Sequence, residues 1–307
     1  MDSRQNSDSS QYILTRLQEV PAVFPVIENT ELTLQLKIGE GTYGVVHTAT
    51  WNNKLVAVKR MNMATFNLKR ECSETRKYVC NNEKEIMGIL YNYSLKQSHP
   101  NIITCYGYNM DSNHCSLILD YLSGGSVKDY RDKNQFINNS QRYWEIVLDT
   151  AKGLDYLHNH DIIHGDLKIE NLLLDSFMNV KIIDFGFSLY GKATTTRCLG
   201  TVVSMAPELI EETETNLTPY SPASDIYAFA IILYKLFVDL NPYPKARKDE
   251  DILWAACHNQ RPALPPTCPA RNLIPRCWEH DRNQRPNAKE LVKSVEVETE
   301  NYFKLAR

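Results

Sequence analysis

An alternating apolar run leads into three closely spaced glycines, and no other stretch limits the possible folds of this chain as strongly. Leu32, Leu34, Leu36 and Ile38 are apolar with polar residues between them, the two-residue period of a half-buried strand. The run enters Gly39-Glu40-Gly41-Thr42-Tyr43-Gly44. Glycines at this spacing also open dinucleotide-binding folds, but there a helix follows them. Here Val45 to Trp51 follow, rich in β-branched residues, so the chain re-enters a strand. The reading is a β-hairpin with glycines at its tip, where backbone N–H groups lie open to a phosphate. Trp51-Asn52-Asn53-Lys54 reads as a turn, and Leu55-Val56-Ala57-Val58 as a third strand ending at Lys59.

Arg60 to Asn82 is polar and basic, and reads as an enlarged connection. A helix is predicted from about Asn81 to Tyr93, because Glu83, Ile86, Met87 and Leu90 share one face. Ile102–Gly107 and Cys115–Leu119 read as strands. Beyond them the composition turns helical, and Tyr143–His158 is apolar nearly all round, the mark of a helix buried in a large lobe. That helix delivers the chain to a polar loop, His164-Gly165-Asp166-Leu167-Lys168-Ile169-Glu170-Asn171, which opens into Leu172-Leu173-Leu174. Asp184-Phe185-Gly186 and Met205-Ala206-Pro207-Glu208 follow.

Taken in order, these stretches resemble the protein kinase signature, from about Leu32 to about Val295. The resemblance implies an α+β, bilobal fold: a small antiparallel sheet with one helix over residues 31–122, then a mostly helical lobe over 123–300. ATP would lie in the cleft between the lobes. It further implies a Mg²⁺-dependent transfer of the ATP γ-phosphate to Ser or Thr hydroxyls of protein substrates. Asp166 would orient the hydroxyl and accept its proton, Lys168 would sit against the moving phosphate, and Thr201 would bridge the two. Lys59 would reach the α- and β-phosphates; the helix pattern fits Glu83 best as its partner, with Glu85 the rival. Asn171 and Asp184 would hold magnesium. Nucleotide contacts would come from Ile38, Gly39, Glu40, Gly41, Thr42, Tyr43, Gly44, Val46, Ala57 and Lys59. Leu119, Asp120, Leu122 and Ser126 would join them from the strand-to-helix connection, with Glu170 and Leu173. Cys277-Trp278, Asp281 and Arg285-Pro286, with Trp51, resemble the tyrosine-kinase-like group, nearest the Raf and mixed-lineage Ser/Thr kinases; Arg285 would pair with Glu208.

One position departs from the pattern. Gly165 stands where kinases usually carry the arginine that pairs with a phosphate on the activation segment. Activity independent of phosphorylation at Thr194, Thr195 or Thr196 is therefore expected, at a cost in local order from the glycine of up to roughly 1 kcal/mol. The same departure keeps open a nucleotide-binding pseudokinase that acts as a scaffold.

The balance of 34 basic and 37 acidic residues gives no global field for nucleic acid or an anionic membrane, so neither partner is expected. Eight cysteines without a paired spacing read as reduced thiols, and no long apolar run spans a membrane; a cytoplasmic location is the expectation. Residues 1–30 are expected to form a disordered or extended arm. Met1–Ser10 are almost entirely polar, while the apolar residues of 11–27 suit either packing on the small lobe or an unstructured tail.

Overall fold

The computed structural model describes residues 23–41, 43–63, 70–133, 140–191, 200–210, 220–239 and 241–305. Thr42, Thr194, Thr195, Thr196 and the first 22 residues therefore lie outside the described residues. The described residues group into two compact units. One draws on Met1–His99, Ile103–Leu122 and Asp184–Ala193, the other on Pro100–Ile102, Ser123–Ile183 and Thr194–Arg307.

The first unit is built on a five-stranded antiparallel sheet: β1 (Thr33–Glu40), β2 (Gly44–Trp51), β3 (Lys54–Asn62), β4 (Cys105–Met110) and β5 (His114–Asp120), in the order β1-β2-β3-β5-β4. The β2–β3 turn is as short as the sequence suggests. Asn52 and Asn53 both take positive φ, 47° and 59°, the left-handed pair of a two-residue hairpin whose twist suits its strands. Gly44 is fixed by space: a Cβ there would stand 2.6 Å from the Arg60 carbonyl oxygen on β3. The alternation in β1 predicts a strand correctly, but its apolar face is not covered. Leu34, Leu36 and Ile38 are all exposed, Leu36 at 74%. β1 is an edge strand and its register with β2 slips twice, so the pleat alone does not decide which side chains are buried. On the sheet, Ile27, Ala49, Val56, Val58 and Ile118 form a buried cluster.

One long helix, α1 (Arg70–Lys96), accompanies this sheet. It begins eleven residues before the predicted start, so much of what reads as a connection after Arg60 is helix. The missed signal is one more turn of the same stripe: Val79 precedes Glu83 by four residues and is 2% exposed, in line with Ile86, Met87 and Leu90. β4 also starts three residues later than predicted. Ile102 instead bridges Ile182, and Asn101 exchanges hydrogen bonds with Val180 and Ile182, which ties 100–102 to the second unit.

In the second unit a small sheet of β6 (Gly125–Ser126), β7 (Leu172–Leu174) and β8 (Val180–Ile182) runs in that order. Its helices include α2 (Val127–Lys133), α3 (Ser140–Asn159), α4 (Pro222–Phe237), α5 (Asp249–Cys257), α6 (Leu273–Cys277) and α7 (Ala288–Leu305). Pro222 opens α4 at its first position, where the missing N–H costs nothing. Every residue of α4 from Ser224 to Leu236 is buried, so it is the post around which this unit is arranged. A single cut after Leu122 thus gives the chain order but not the packing, because Asp184–Ala193 belongs with the first unit.

Candidate active site

In the first unit, Lys59 lies on β3 and Glu83 on α1, and their side chains meet. The Lys59 ammonium donates to Glu83 Oε1 at 2.6 Å, to Glu83 Oε2 at 2.8 Å and to Asp184 Oδ1 at 2.7 Å. Glu85, the rival, is exposed on the same helix between Lys84 and the buried Ile86, and the charge that acts on its carboxyl is that of Lys84, not Lys59. Burial alone would push the Lys59 ammonium towards neutrality, but the two carboxylates outweigh it and hold the ammonium above its ordinary value. Burial pushes the Glu83 carboxyl up, and Lys59 only partly offsets this.

Asp184 takes φ 69°, a left-handed conformation that costs an L-residue roughly 1–2 kcal/mol. That strain is held in place by α1. Asn82, next to Glu83, donates from Nδ2 to the Gly186 carbonyl at 3.0 Å and the Ser188 carbonyl at 2.9 Å. Sequence reasoning missed Asn82, since nothing distinguishes it from the neighbouring Asn81 until the helix is docked. Tyr43, at the glycine turn, sets its ring edge-on to Phe187 with centroids 5.6 Å apart. Gly41 donates its N–H to the Gly44 carbonyl at 2.9 Å, and nothing lies within 4 Å of where a Gly41 Cβ would be. Val46 is the register partner of Lys59, and Ala57 that of Leu119. Asp120 spends its N–H on the Thr104 carbonyl at 3.0 Å, and its carboxylate accepts from Lys54 at 2.8 Å and from the Tyr106 hydroxyl at 2.6 Å. It has no N–H to lend to a ligand.

In the second unit, the loop after α3 brings four side chains together. Lys168 Nζ donates to Asp166 Oδ2 at 2.6 Å and to Thr201 Oγ1 at 2.9 Å, while the Thr201 N–H donates to Asp166 Oδ1 at 2.7 Å. Asn171 Nδ2 donates to the Asp166 carbonyl at 2.9 Å, so the oxygen of that amide is the atom left for a hard cation. Asp166 is 4% exposed. The Ser126 hydroxyl caps α2, donating to Asp129 Oδ2 at 2.7 Å and accepting from the Asp129 N–H at 3.0 Å. The Glu170 carboxylate faces Lys235 Nζ at 3.7 Å, and Leu173 pairs with Ser126 in the small sheet.

Asp225, near the start of α4, anchors this loop from below. Its carboxylate accepts the His164 N–H at 2.8 Å, the Gly165 N–H at 3.0 Å and the His158 imidazole at 2.9 Å. His164 Nδ1 accepts the Asp166 N–H at 3.3 Å, and its Nε2 lies 3.0 Å from the Ile183 carbonyl. Gly165 between them has φ 76°. The glycine is therefore a local fit, not a local cost: any other residue there would carry left-handed strain. Further along, Arg285 and Glu208 form a two-point ion pair at 2.7 and 2.8 Å, with the Arg285 side chain fully buried.

Comparison with known proteins places the chain in a family. The family described as protein kinase domain matches residues 32–295. A probable serine/threonine-protein kinase of Dictyostelium discoideum is 34% identical over 270 residues, covering 87% of this chain and 28% of the relative. Another from the same organism is 29% identical over 294 residues, 93% of this chain and 21% of its own length. The serine/threonine/tyrosine-protein kinase HT1 of Arabidopsis thaliana is 30% identical over 276 residues, 87% of this chain and 66% of HT1. The chain thus spans about a quarter of the Dictyostelium relatives. With the family match running through the glycine turn, the Asp166 loop and the Glu208–Arg285 pair, the chain belongs to the protein kinase domain family.

Proposed function

We propose that this chain is a Mg-ATP-dependent protein kinase acting on Ser and Thr hydroxyls. The observation that carries the reading is the triangle of Asp166, Lys168 and Thr201. Both oxygens of Asp166 are held, one by the Thr201 N–H and one by Lys168, so the carboxylate has a fixed direction in which to take a proton. In the reaction the substrate O–H proton passes to Asp166 as that oxygen forms its bond to the γ-phosphorus. The bond from the γ-phosphorus to the bridging oxygen breaks, and ADP leaves. Lys168 neutralises charge on the moving phosphoryl group, and Lys59, set by Glu83, holds the α- and β-phosphates. Magnesium bound with the nucleotide would further neutralise that charge. Asn171 and Asp184 are the residues that would hold it, through the one amide oxygen and the carboxylate, with phosphate oxygens and water completing the set.

Gly165 supports activity without a phosphorylated Thr194, Thr195 or Thr196, since no arginine is there to read the phosphate. The scaffold alternative draws its case from the same glycine, and the accommodated φ of 76° weakens that case. Cys80, Cys105, Cys115, Cys268 and Cys277 carry free thiols, which suits a reducing compartment such as the cytoplasm. No helix among the described residues is long and apolar enough to cross a membrane.

The test is transfer of labelled γ-phosphate from Mg-ATP to a generic protein substrate and to the chain itself, beside Asp166→Asn, with phosphoamino-acid analysis. Label on Ser or Thr that the variant loses is expected. Nucleotide binding without any transfer would favour the scaffold, and label on Tyr would extend the specificity.

A further inference from the structure

The arm ahead of the family segment does more than precede it. Residues 24–27 lie outside the matched range 32–295, yet they are bound to the first unit by a continuous set of contacts. The Tyr108 N–H donates to the Pro25 carbonyl at 2.9 Å, and the Ile27 N–H donates to the Tyr108 carbonyl at 2.8 Å. Val26 makes a parallel bridge with Tyr108, and Asn109 Nδ2 donates to the Ile27 carbonyl at 2.7 Å. The arm thereby covers the outer edge of β4, the end strand of the sheet, and buries Ile27 to 3% exposure.

Phe24 then leaves that edge for the helix. Its ring stacks on Tyr108 of β4 with centroids 5.2 Å apart and tilts against Tyr91 of α1 at 5.6 Å. It rests on Gly88 of α1, where a Cβ would lie 3.4 Å from Phe24 Cδ1. The helix it touches carries Asn82 and Glu83 about one and a half turns earlier. Asn82 holds the backbone of Gly186 and Ser188, and Glu83 holds Lys59. A helix is stiff over so short a distance, so whatever fixes its face at Gly88 also fixes where Glu83 points.

We propose that Phe24 is a positioning residue for phosphoryl transfer, a wedge between β4 and α1 that seats the helix so that Glu83 meets Lys59. The inference rests on the kinase reading of the site. Displacement of a reacting or orienting group by about 1 Å costs up to roughly 100-fold in rate, so loss of the wedge is expected to lower kcat/KM by about 10-fold or more.

The experiment uses the full chain and four variants: Phe24→Ala, Phe24→Tyr, Glu83→Gln, and Phe24→Ala with Glu83→Gln. Melting temperature checks folding, and kcat and KM for Mg-ATP are read separately. Phe24→Ala is expected to lose about 10-fold, Phe24→Tyr to recover to within about 2-fold, and Phe24→Ala to add less than about 2-fold once Glu83 is already Gln. An equal loss in both backgrounds overturns the inference, because the ring would then act through something other than Glu83. So does Phe24→Ala with wild-type kinetics. If Phe24→Ala melts too early to assay, Gly88→Leu fills the seat of the ring and leaves the arm's backbone bonds in place; it is expected to show the same loss, and wild-type rates there overturn the proposal. Absence of transfer by the wild-type chain overturns the reading of the site itself, a result distinct from an active chain that ignores Phe24.

Discussion

Replacing Arg285 by Leu tests the packing of the second unit most sharply. Its guanidinium meets both oxygens of Glu208, at 2.7 and 2.8 Å, and also donates to the carbonyls of Glu279 at 2.8 Å and Ala223 at 2.9 Å. The side chain is fully buried, and Glu208 is 14% exposed. Leucine matches much of the volume but leaves a shielded carboxylate that keeps, among the described residues, the Ser224 hydroxyl as a donor at 3.3 Å. Removing one partner of such a pair costs about 3–5 kcal/mol, largely the burden of the charge left behind. For a chain of this size that corresponds to a melting temperature lower by roughly 10 °C, read by calorimetry at neutral pH. Adding Glu208→Gln should return part of the loss, because the stranded charge goes with it. A drop of less than about 2 °C for Arg285→Leu, or strict additivity in the double variant, would refute this account of the pair.

Three further outcomes follow from the same geometry. Gly165→Ala places a Cβ at φ 76° and should lower stability by about 1–2 kcal/mol; an unchanged denaturation midpoint would mean that this backbone relaxes freely. Burial pushes the thiols of Cys80 and Cys115 up to about 11 and those of Cys105 and Cys277 up to about 12. These four should therefore resist alkylation at pH 7.5 until the chain is unfolded, and mass mapping that finds them labelled in the native protein would contradict their burial. Burial also works against the Asp225 carboxylate, but the His158 hydrogen bond and charge, with the His164 charge and N–H, hold its value below the usual one. A carboxylate lowered on folding contributes stability above its unfolded value of about 3.9 and loses it as pH falls through the folded value. The stability gap between wild type and Asp225→Asn should narrow on acidification from pH 6 to 3; a constant or widening gap would reverse the sign.

The parts of this molecule that were legible in the sequence are those where local chemistry repeats or admits few residues. The Asn52-Asn53 turn, the glycine hairpin and the apolar helix at Tyr143–His158 follow from backbone freedom and periodicity alone. Asp166, Lys168 and Asn171 fall within six consecutive residues, so their neighbourhood is guaranteed by the chain. The start of α1 was not legible in that way. Its first turns are polar, and Val79 becomes a core residue only in the folded unit, where it lies against Gly186.

By itself the sequence determined the strand-and-helix order, the close grouping of Asp166, Lys168 and Asn171 and the presence of a lysine with two candidate glutamates. Tertiary structure decided which glutamate, because an exposed Glu85 and a buried Glu83 differ in the face they present and not in residue type. It also decided that Asn82 props the backbone around Gly186, that Asp225 carries the loop at Gly165 from about 60 residues away, and that Phe24 reaches Gly88. Each of these depends on a contact between segments far apart in the chain, where the energy of meeting is set by the packed surroundings and leaves no periodic trace in the order of residues.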